Sequence, residues 1–388
     1  MVHRYLFPEL KYAVSKFPVV CITGPRQCGK TTLARFYCSE SGKIHIYLDL
    51  EKSDDFRRFS DPGLLFNDNR EKLIVIYEIQ RSPEIFPELR AEIDADRRPG
   101  RFLILGSAGP DIINRSSETL AGRIRYINLH PFIINEIHDR IKLNDLFFWG
   151  GYPEVVLGND DRFRKDWLDS FITTYLERNL PMIGLKASPV QIRRLWEMLA
   201  YHAANLLNSS TLALSLGISN HTTNTYLDYL EGAWMIYRIA PFDFNTGKRI
   251  VKSKKIFISD NGLLHRLLRI ESYDQLMGNP IAGHSWENFV FTQIFHLVGN
   301  KWNVCFYRTH SGQESDLVLC KGPVPEICVE IKLSSAPSLT KSFISSIAEL
   351  GTKRNFIIIP YGNSYRLRED IFVCNLGDFA ELIISDFK

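Results

Sequence analysis

The stretch Val19-Val20-Cys21-Ile22-Thr23-Gly24-Pro25-Arg26-Gln27-Cys28-Gly29-Lys30-Thr31-Thr32-Leu33 decides how this chain is read. A β-branched, apolar run leads to a glycine, four intervening residues and Gly-Lys-Thr, which is the strand, loop and helix start of a phosphate-binding loop. Gly24 and Gly29 let backbone N–H groups turn inward around an anion, and a helix opening at Lys30 adds its positive end. Lys30 is expected to reach the β- and γ-phosphates, and Thr31 to give its hydroxyl to Mg²⁺. Gly24, Pro25, Arg26, Gln27, Cys28, Gly29, Lys30, Thr31 and Thr32 are therefore the expected cradle of a nucleoside triphosphate.

Working outward, residues 1 to about 17 have the apolar spacing of a helix leading into that strand. Ile44-His45-Ile46-Tyr47-Leu48-Asp49-Leu50 alternates as a strand, with Asp49 near the carboxyl end, where ligands of open α/β sheets gather. A charged helix runs on through Phe59 and is expected to break at Asp61-Pro62-Gly63. Leu73-Ile74-Val75-Ile76 then runs into Tyr77-Glu78. A phosphate-loop NTPase calls for two acids here, the first helping to hold Mg²⁺ and the second polarising the attacking water. Glu78 fills the second role, the alternative being a solvated loop acid. Tyr77 stands in the first and supplies no carboxylate at neutral pH, which weakens hydrolysis more than binding. Arg101-Phe102-Leu103-Ile104-Leu105-Gly106-Ser107 reads as a further strand, with Ser107 either sensing the γ-phosphate or capping the next turn. Tyr126-Ile127-Asn128-Leu129 is the fifth strand. Strands alternating with helices predict a parallel sheet covered on both faces.

The 388 residues suffice for two or three domains with their own cores, and 45% apolar with 23% charged residues is an ordinary soluble composition. A net charge of +3 makes no global case for nucleic acid, so any such case rests on local patches. The seven cysteines are odd in number and contain no Cys-x-x-Cys, which speaks against a disulfide framework or zinc ribbon and for a reducing cytoplasm. The first residues lack a signal-type apolar core and no apolar run reaches membrane-span length, so a cytoplasmic protein without a membrane partner is expected.

From Phe132 the pattern turns helical, interrupted by Trp149-Gly150-Gly151-Tyr152-Pro153-Glu154, a hinge or helix-start loop. Residues 212–230 then read as two short helices around Gly217, a helix-turn-helix with polar His221, Thr222, Asn224 and Thr225 near the start of the second. Strands at Trp234–Ile239 and Lys255–Ile258 enclose the basic run Lys248-Arg249-Ile250-Val251-Lys252-Ser253-Lys254-Lys255, and together these resemble a winged helix. The basic patch favours DNA contact, while the absence of Arg or Lys from the second helix favours a protein–protein spacer with a solvated wing. Farther on, Glu287 on an amphipathic helix, Asp316 on one strand and Glu330-x-Lys332 on the next gather two carboxylates and an ammonium on one sheet face. Such a set can hold Mg²⁺ or Mn²⁺ through Glu287, Asp316 and Glu330 and activate water against a phosphodiester. Alone, Glu-x-Lys is a surface ion pair.

With these segments in view, the chain resembles a bacterial and archaeal family of AAA+-like ATP-binding proteins whose C-terminal half is a domain of unknown function. The likeness rests on Gly24–Thr32, Tyr47-Leu48-Asp49, Glu78-Ile79-Gln80-Arg81, Leu120-Ala121-Gly122-Arg123, Gly150-Gly151-Tyr152-Pro153-Glu154 and Tyr175-Leu176-Glu177-Arg178, and covers nearly the whole chain. It implies an α/β fold in four parts: a P-loop ATPase core (1–131), a helical lid (132–188), a winged helix (189–269) and a restriction-endonuclease-like domain (270–388). It also implies ATP and ADP as ligands with Mg²⁺, and assembly into a homo-oligomer. Arg123 is similar to the family's arginine after the sensor strand, a charge-stabilising finger in cis or from a neighbouring subunit, or else a salt-bridge partner. Tyr77 and Ser107 depart from the family pattern at positions that touch γ-phosphate chemistry. Three functions follow: an ATPase or ATP-gated switch acting on DNA through the winged helix and C-terminal domain; a metal-dependent nuclease built on Asp316, Glu330 and Lys332 and regulated by nucleotide; and a nucleotide-binding interaction protein without catalysis.

Overall fold

All five residues of β1 (Val19–Thr23) are buried, as expected of a parallel strand covered on both faces. In this computed structural model, which describes residues 2–106, 120–158, 160–182, 184–243 and 250–386, β1 lies inside a five-stranded parallel sheet. Its order is β2 (His45–Asp49), β3 (Leu73–Tyr77), β4 (Phe102–Leu105), β1, β5 (Ile124–Asn128). Successive side chains alternate between faces. Val20, Ile22, Val75, Leu103 and Leu105 pack with residues of α1 (Phe7–Lys16) and α2 (Lys30–Ser41). Val19, Cys21, Ile74, Ile76, Phe102 and Ile104 form the opposite core, with Phe59, after α3 (Ser53–Arg58), Phe66 of α4 (Pro62–Asp68) and Phe86, Leu89 and Ile93 of α5 (Phe86–Ala95).

The expected break at Asp61-Pro62-Gly63 is also a beginning. The Asp61 carboxylate accepts the Leu64 N–H at 3.0 Å, and Pro62 sits in the first turn of α4, where its missing N–H costs nothing.

This sheet belongs to a compact unit of residues 1–132 together with 232–234. Within it Trp234, at φ +64°, sets its indole edge-on to the His130 ring with centroids 5.5 Å apart.

The second unit comprises residues 133–231 and 235–388. Its helices Ser209–Leu216 and Asn220–Gly232 are joined through Gly217 in the left-handed region, and Asn208 caps the first by accepting the Thr211 N–H. An antiparallel sheet of β6 (Asn205–Leu206), β8 (Lys255–Ile258) and β7 (Ile236–Ile239) follows. The C-terminal sheet is mixed. Its order is β13 (Tyr365–Arg368), β14 (Ile371–Asn375), β12 (Arg354–Ile359), β11 (Val324–Ile331), β10 (Glu314–Lys321), β9 (Asn303–Arg308), with β11–β12–β14 parallel and the other pairs antiparallel.

In the described part of the basic run Lys252, Ser253 and Lys254 are exposed to solvent. Lys248 and Arg249 lie outside the described residues. Just beside them, the Phe242 N–H donates to the Phe306 carbonyl at 2.7 Å and the Val251 N–H to the Arg308 carbonyl at 3.1 Å, stitching both flanks to β9. Lys255, the last of the run, is buried. Among the described residues no helix is long and apolar enough to cross a membrane.

Candidate nucleotide site

The loop between β1 and α2 is shaped by three residues with positive φ: Gly24 at 142°, Gln27 at 61° and Gly29 at 97°. Gly24 tolerates no side chain, because a Cβ there would lie 1.9 Å from the Leu129 carbonyl oxygen. The loop is thus pressed against the exit of β5, where Thr23 Oγ1 donates to Asn128 Oδ1 at 2.7 Å and the Cys28 thiol to the Leu129 carbonyl at 3.3 Å. Lys30, buried in the first turn of α2, donates to the Gly24 carbonyl at 2.9 Å and the Pro25 carbonyl at 2.7 Å. Its ammonium is therefore held at the loop's own mouth, while Thr31 beside it is half-buried and Thr32 exposed. This concave loop, closed at Gly24 to anything larger than hydrogen and furnished with a cation and a helix start, fits a triphosphate.

Glu78 follows β3 in a left-handed conformation, φ 56° and ψ 49°, a strain of about 1–3 kcal/mol for a non-glycine residue. The strain turns its carboxylate inward, where it is almost fully buried and accepts a hydrogen bond from the Gln80 amide. Burial raises the Glu78 carboxyl above the ordinary carboxylate value, and Lys30 and Arg26 pull against that rise. The loop's two cations are therefore within electrostatic reach of the expected water-orienting acid. Tyr77 pairs in register with Asp49 on β2. It closes the strand immediately before Glu78. Burial raises the Tyr77 phenol well above its ordinary value, so it is neutral at any working pH.

The C-terminal residues take a different arrangement from the one expected. Glu287, Glu314 and Asp316 surround the ammonium of Lys255 at 2.9, 3.0 and 3.7 Å. Asp316 also accepts the Ile331 N–H at 2.8 Å. Glu330 pairs with Lys332 at 2.7 Å and accepts from Thr340 at 3.4 Å, and burial followed by the nearby Asp316 charge pushes its carboxyl up to about 7. Among the described residues no three His, Cys, Asp or Glu are grouped to hold a metal ion. A lysine that the sequence pattern assigned to a wing thus stands between the expected metal ligands Glu287 and Asp316, while Glu330 pairs with Lys332.

Residues 16–138 match the family described as AAA domain, residues 140–274 a domain of unknown function (DUF8612) and residues 282–379 another (DUF4143). Uncharacterized proteins of Mycobacterium tuberculosis and Mycobacterium bovis are each 36% identical over 363 residues, spanning 94% of this chain and 81% of their own length. The chain belongs to this family of AAA-domain proteins. Among solved structures it is similar to a Walker-type ATPase of Pyrococcus abyssi at 14% identity, with a TM-score of 0.46 over 70% of this chain and 96% of that one.

In this AAA-domain protein one expected residue of the site falls elsewhere and another is not among the described residues. Ser107 lies outside the described residues. Arg123 precedes β5 at the entry edge of the sheet, where its carbonyl accepts the Val19 N–H. The phosphate loop leaves β1 at the opposite edge, a five-residue strand or roughly 16 Å away. Arg123 also clasps Asp94 through Nε at 2.8 Å and Nη2 at 3.0 Å. It is a salt-bridge partner and not a finger for its own loop. Conversely, sequence reasoning passed over Arg4, which donates to the Cys28 carbonyl at 2.8 Å and the His130 carbonyl at 2.5 Å while its guanidinium lies 4.7 Å from the Phe132 ring centroid. Nothing local marks Arg4, since its acceptors are 24 and 126 residues away. Asn128 did carry a signal, a polar residue at a strand's exit end.

Proposed function

We propose that this chain is an ATP-driven switch with slow hydrolysis. The observation that carries the reading is the Lys30 ammonium held at the mouth of the Gly24–Thr32 loop, within electrostatic reach of Glu78. In this reading the backbone N–H groups of the loop and Lys30 bind the phosphates, and Thr31 would hold Mg²⁺, whose chemistry is to bridge and neutralise phosphate oxygens. Glu78 orients the attacking water and accepts its proton; burial raises its carboxyl against the pull of Lys30 and Arg26, which favours proton uptake. Tyr77 places a neutral hydroxyl where a carboxylate would help fix the metal, which slows the chemical step and leaves the binding loop untouched.

Nucleotide state would then reposition the helix-turn-helix and C-terminal segments, with DNA as the partner and a homo-oligomer as the working form. The helix pair 209–232, capped at Asn208 and turned at Gly217, supports the DNA reading. The test is Mg²⁺-dependent ATP hydrolysis by wild type and Glu78→Gln, with and without duplex DNA. Turnover lost in the variant and stimulated by DNA supports the whole proposal. Binding of ATP without turnover reduces it to a nucleotide-held switch, and no binding overturns it.

A further inference from the structure

Lys255 opens β8, the middle strand of its sheet, paired with Leu206 and Ile239. Its side chain is 2% exposed, and its ammonium also lies 5.5 Å from the Phe306 ring centroid. The three carboxylates around it come from two other elements, Glu287 from the helix Ala282–Val298 and Glu314 and Asp316 from β10. Desolvation works against the ammonium, yet Glu287, Asp316 and Glu314 together outweigh it and hold Lys255 above its ordinary value.

The rest of the cluster is also satisfied by protein groups. Arg308 lies 3.3 Å from the second oxygen of Glu314, the Ile331 N–H fills the second oxygen of Asp316, Lys332 neutralises Glu330, and His284 stands 4.0 Å from Glu287. A divalent cation would need oxygens at about 2.0–2.6 Å in the space this ammonium fills.

We propose that the Lys255 ammonium is the resident cation of the C-terminal carboxylate cluster, a built-in block that keeps divalent metal out of it. The residues that suggested a metal-dependent nuclease are then held inactive from within. Any metal chemistry there requires Lys255 to withdraw from between Glu287 and β10. Removing the lysine leaves three partly buried carboxylates short of a cation, with Arg308 still beside Glu314, and so ready to take up protons or a metal ion. This inference does not depend on the nucleotide reading.

The experiment is a Mn²⁺ titration of the full-length chain without nucleotide, following free Mn²⁺ by electron paramagnetic resonance and stability by the thermal midpoint. Wild type should take up no Mn²⁺ that depends on Asp316. Lys255→Met should take up one ion per chain and gain a Mn²⁺-dependent rise in midpoint, both lost on adding Asp316→Asn. If Lys255→Met does not fold, Lys255→Met/Glu287→Gln, which removes one carboxylate with the cation, is read the same way. Mn²⁺ bound by wild type and released by Asp316→Asn would overturn the proposal. So would a folded lysine variant that binds none.

Discussion

Tyr77 ends β3 in parallel register with Asp49 at the end of β2, so a phenol occupies the position where a phosphate-loop NTPase calls for an acid. Replacing that phenol with a carboxylate should restore the charge the site lacks. We expect Tyr77→Asp to lower the Mg²⁺ concentration that half-saturates ATP hydrolysis by about 10-fold or more, the scale on which outer-sphere partners tune metal sites. Hydrolysis measured across a Mg²⁺ series checks this; unchanged half-saturation and turnover would mean that Tyr77 is no handicap.

Lys30→Ala removes the one loop cation that the Gly24 and Pro25 carbonyls hold in place. Binding of a fluorescent ATP analogue should fall below detection while the far-ultraviolet circular dichroism is unchanged. Retained tight binding would place the nucleotide elsewhere.

Glu78→Gln should keep ATP binding and lower turnover by about 100-fold or more, the usual worth of a positioned base. The pH profile supplies a second check. A base must be deprotonated to act, and the Glu78 carboxyl is raised, so the acid limb of the wild-type rate should fall at a pH above the ordinary glutamate value of 4.5.

Gly150 and Asp260 form a close contact within the second unit. A Cβ on Gly150 would lie 2.1 Å from Asp260 Oδ1, at a backbone φ of 79°, and the neighbouring Gly151 N–H donates to Asp260 Oδ2 at 2.7 Å. Gly150→Ala should therefore destabilise this unit by about 1–3 kcal/mol or more, through overpacking in a left-handed backbone. The midpoint of chemical unfolding measures it.

Burial pushes the Asp260 carboxyl from an ordinary 3.8 up to about 6, against the pull of N–H bonds from Gly151, Leu263 and Gly262. The folded state holds this proton longer than the unfolded chain. The stability associated with it is thus fully present below about pH 4 and lost as pH rises through about 6. A shift of about two units corresponds to roughly 2–3 kcal/mol. Stability of wild type relative to Asp260→Asn should decline by that order between pH 4 and 7, and a flat difference would show that Asp260 folds already ionised.

The phosphate loop and its parallel sheet were legible because each strand is short, apolar and alternates with a helical pattern, and because Gly24 and Gly29 carry conformations few other residues accept. What was not legible depended on which end of a strand a residue occupies or on partners far along the chain. Arg123 sits in an arginine position the family pattern favours, but only the pairing of β5 with β1 reveals that it lies at the wrong edge. Lys255 closes a basic run that reads as solvated, and its acidic partners come 32 to 61 residues later. Pro62 was read as a stop because a proline ends one helix as readily as it begins the next.

The chain visits the first unit twice, once through residue 132 and again at residues 232–234. Genetic dissection must respect that return. A fragment cut after Phe132 would expose the face of His130 on which the Trp234 indole rests, whereas a fragment carrying residue 234 brings with it the whole helix-turn-helix. The nucleotide unit and the segment that follows it are therefore inherited as a single piece, and a crossover between homologues placed at residue 132 would pair a His130 from one parent with a Trp234 from the other.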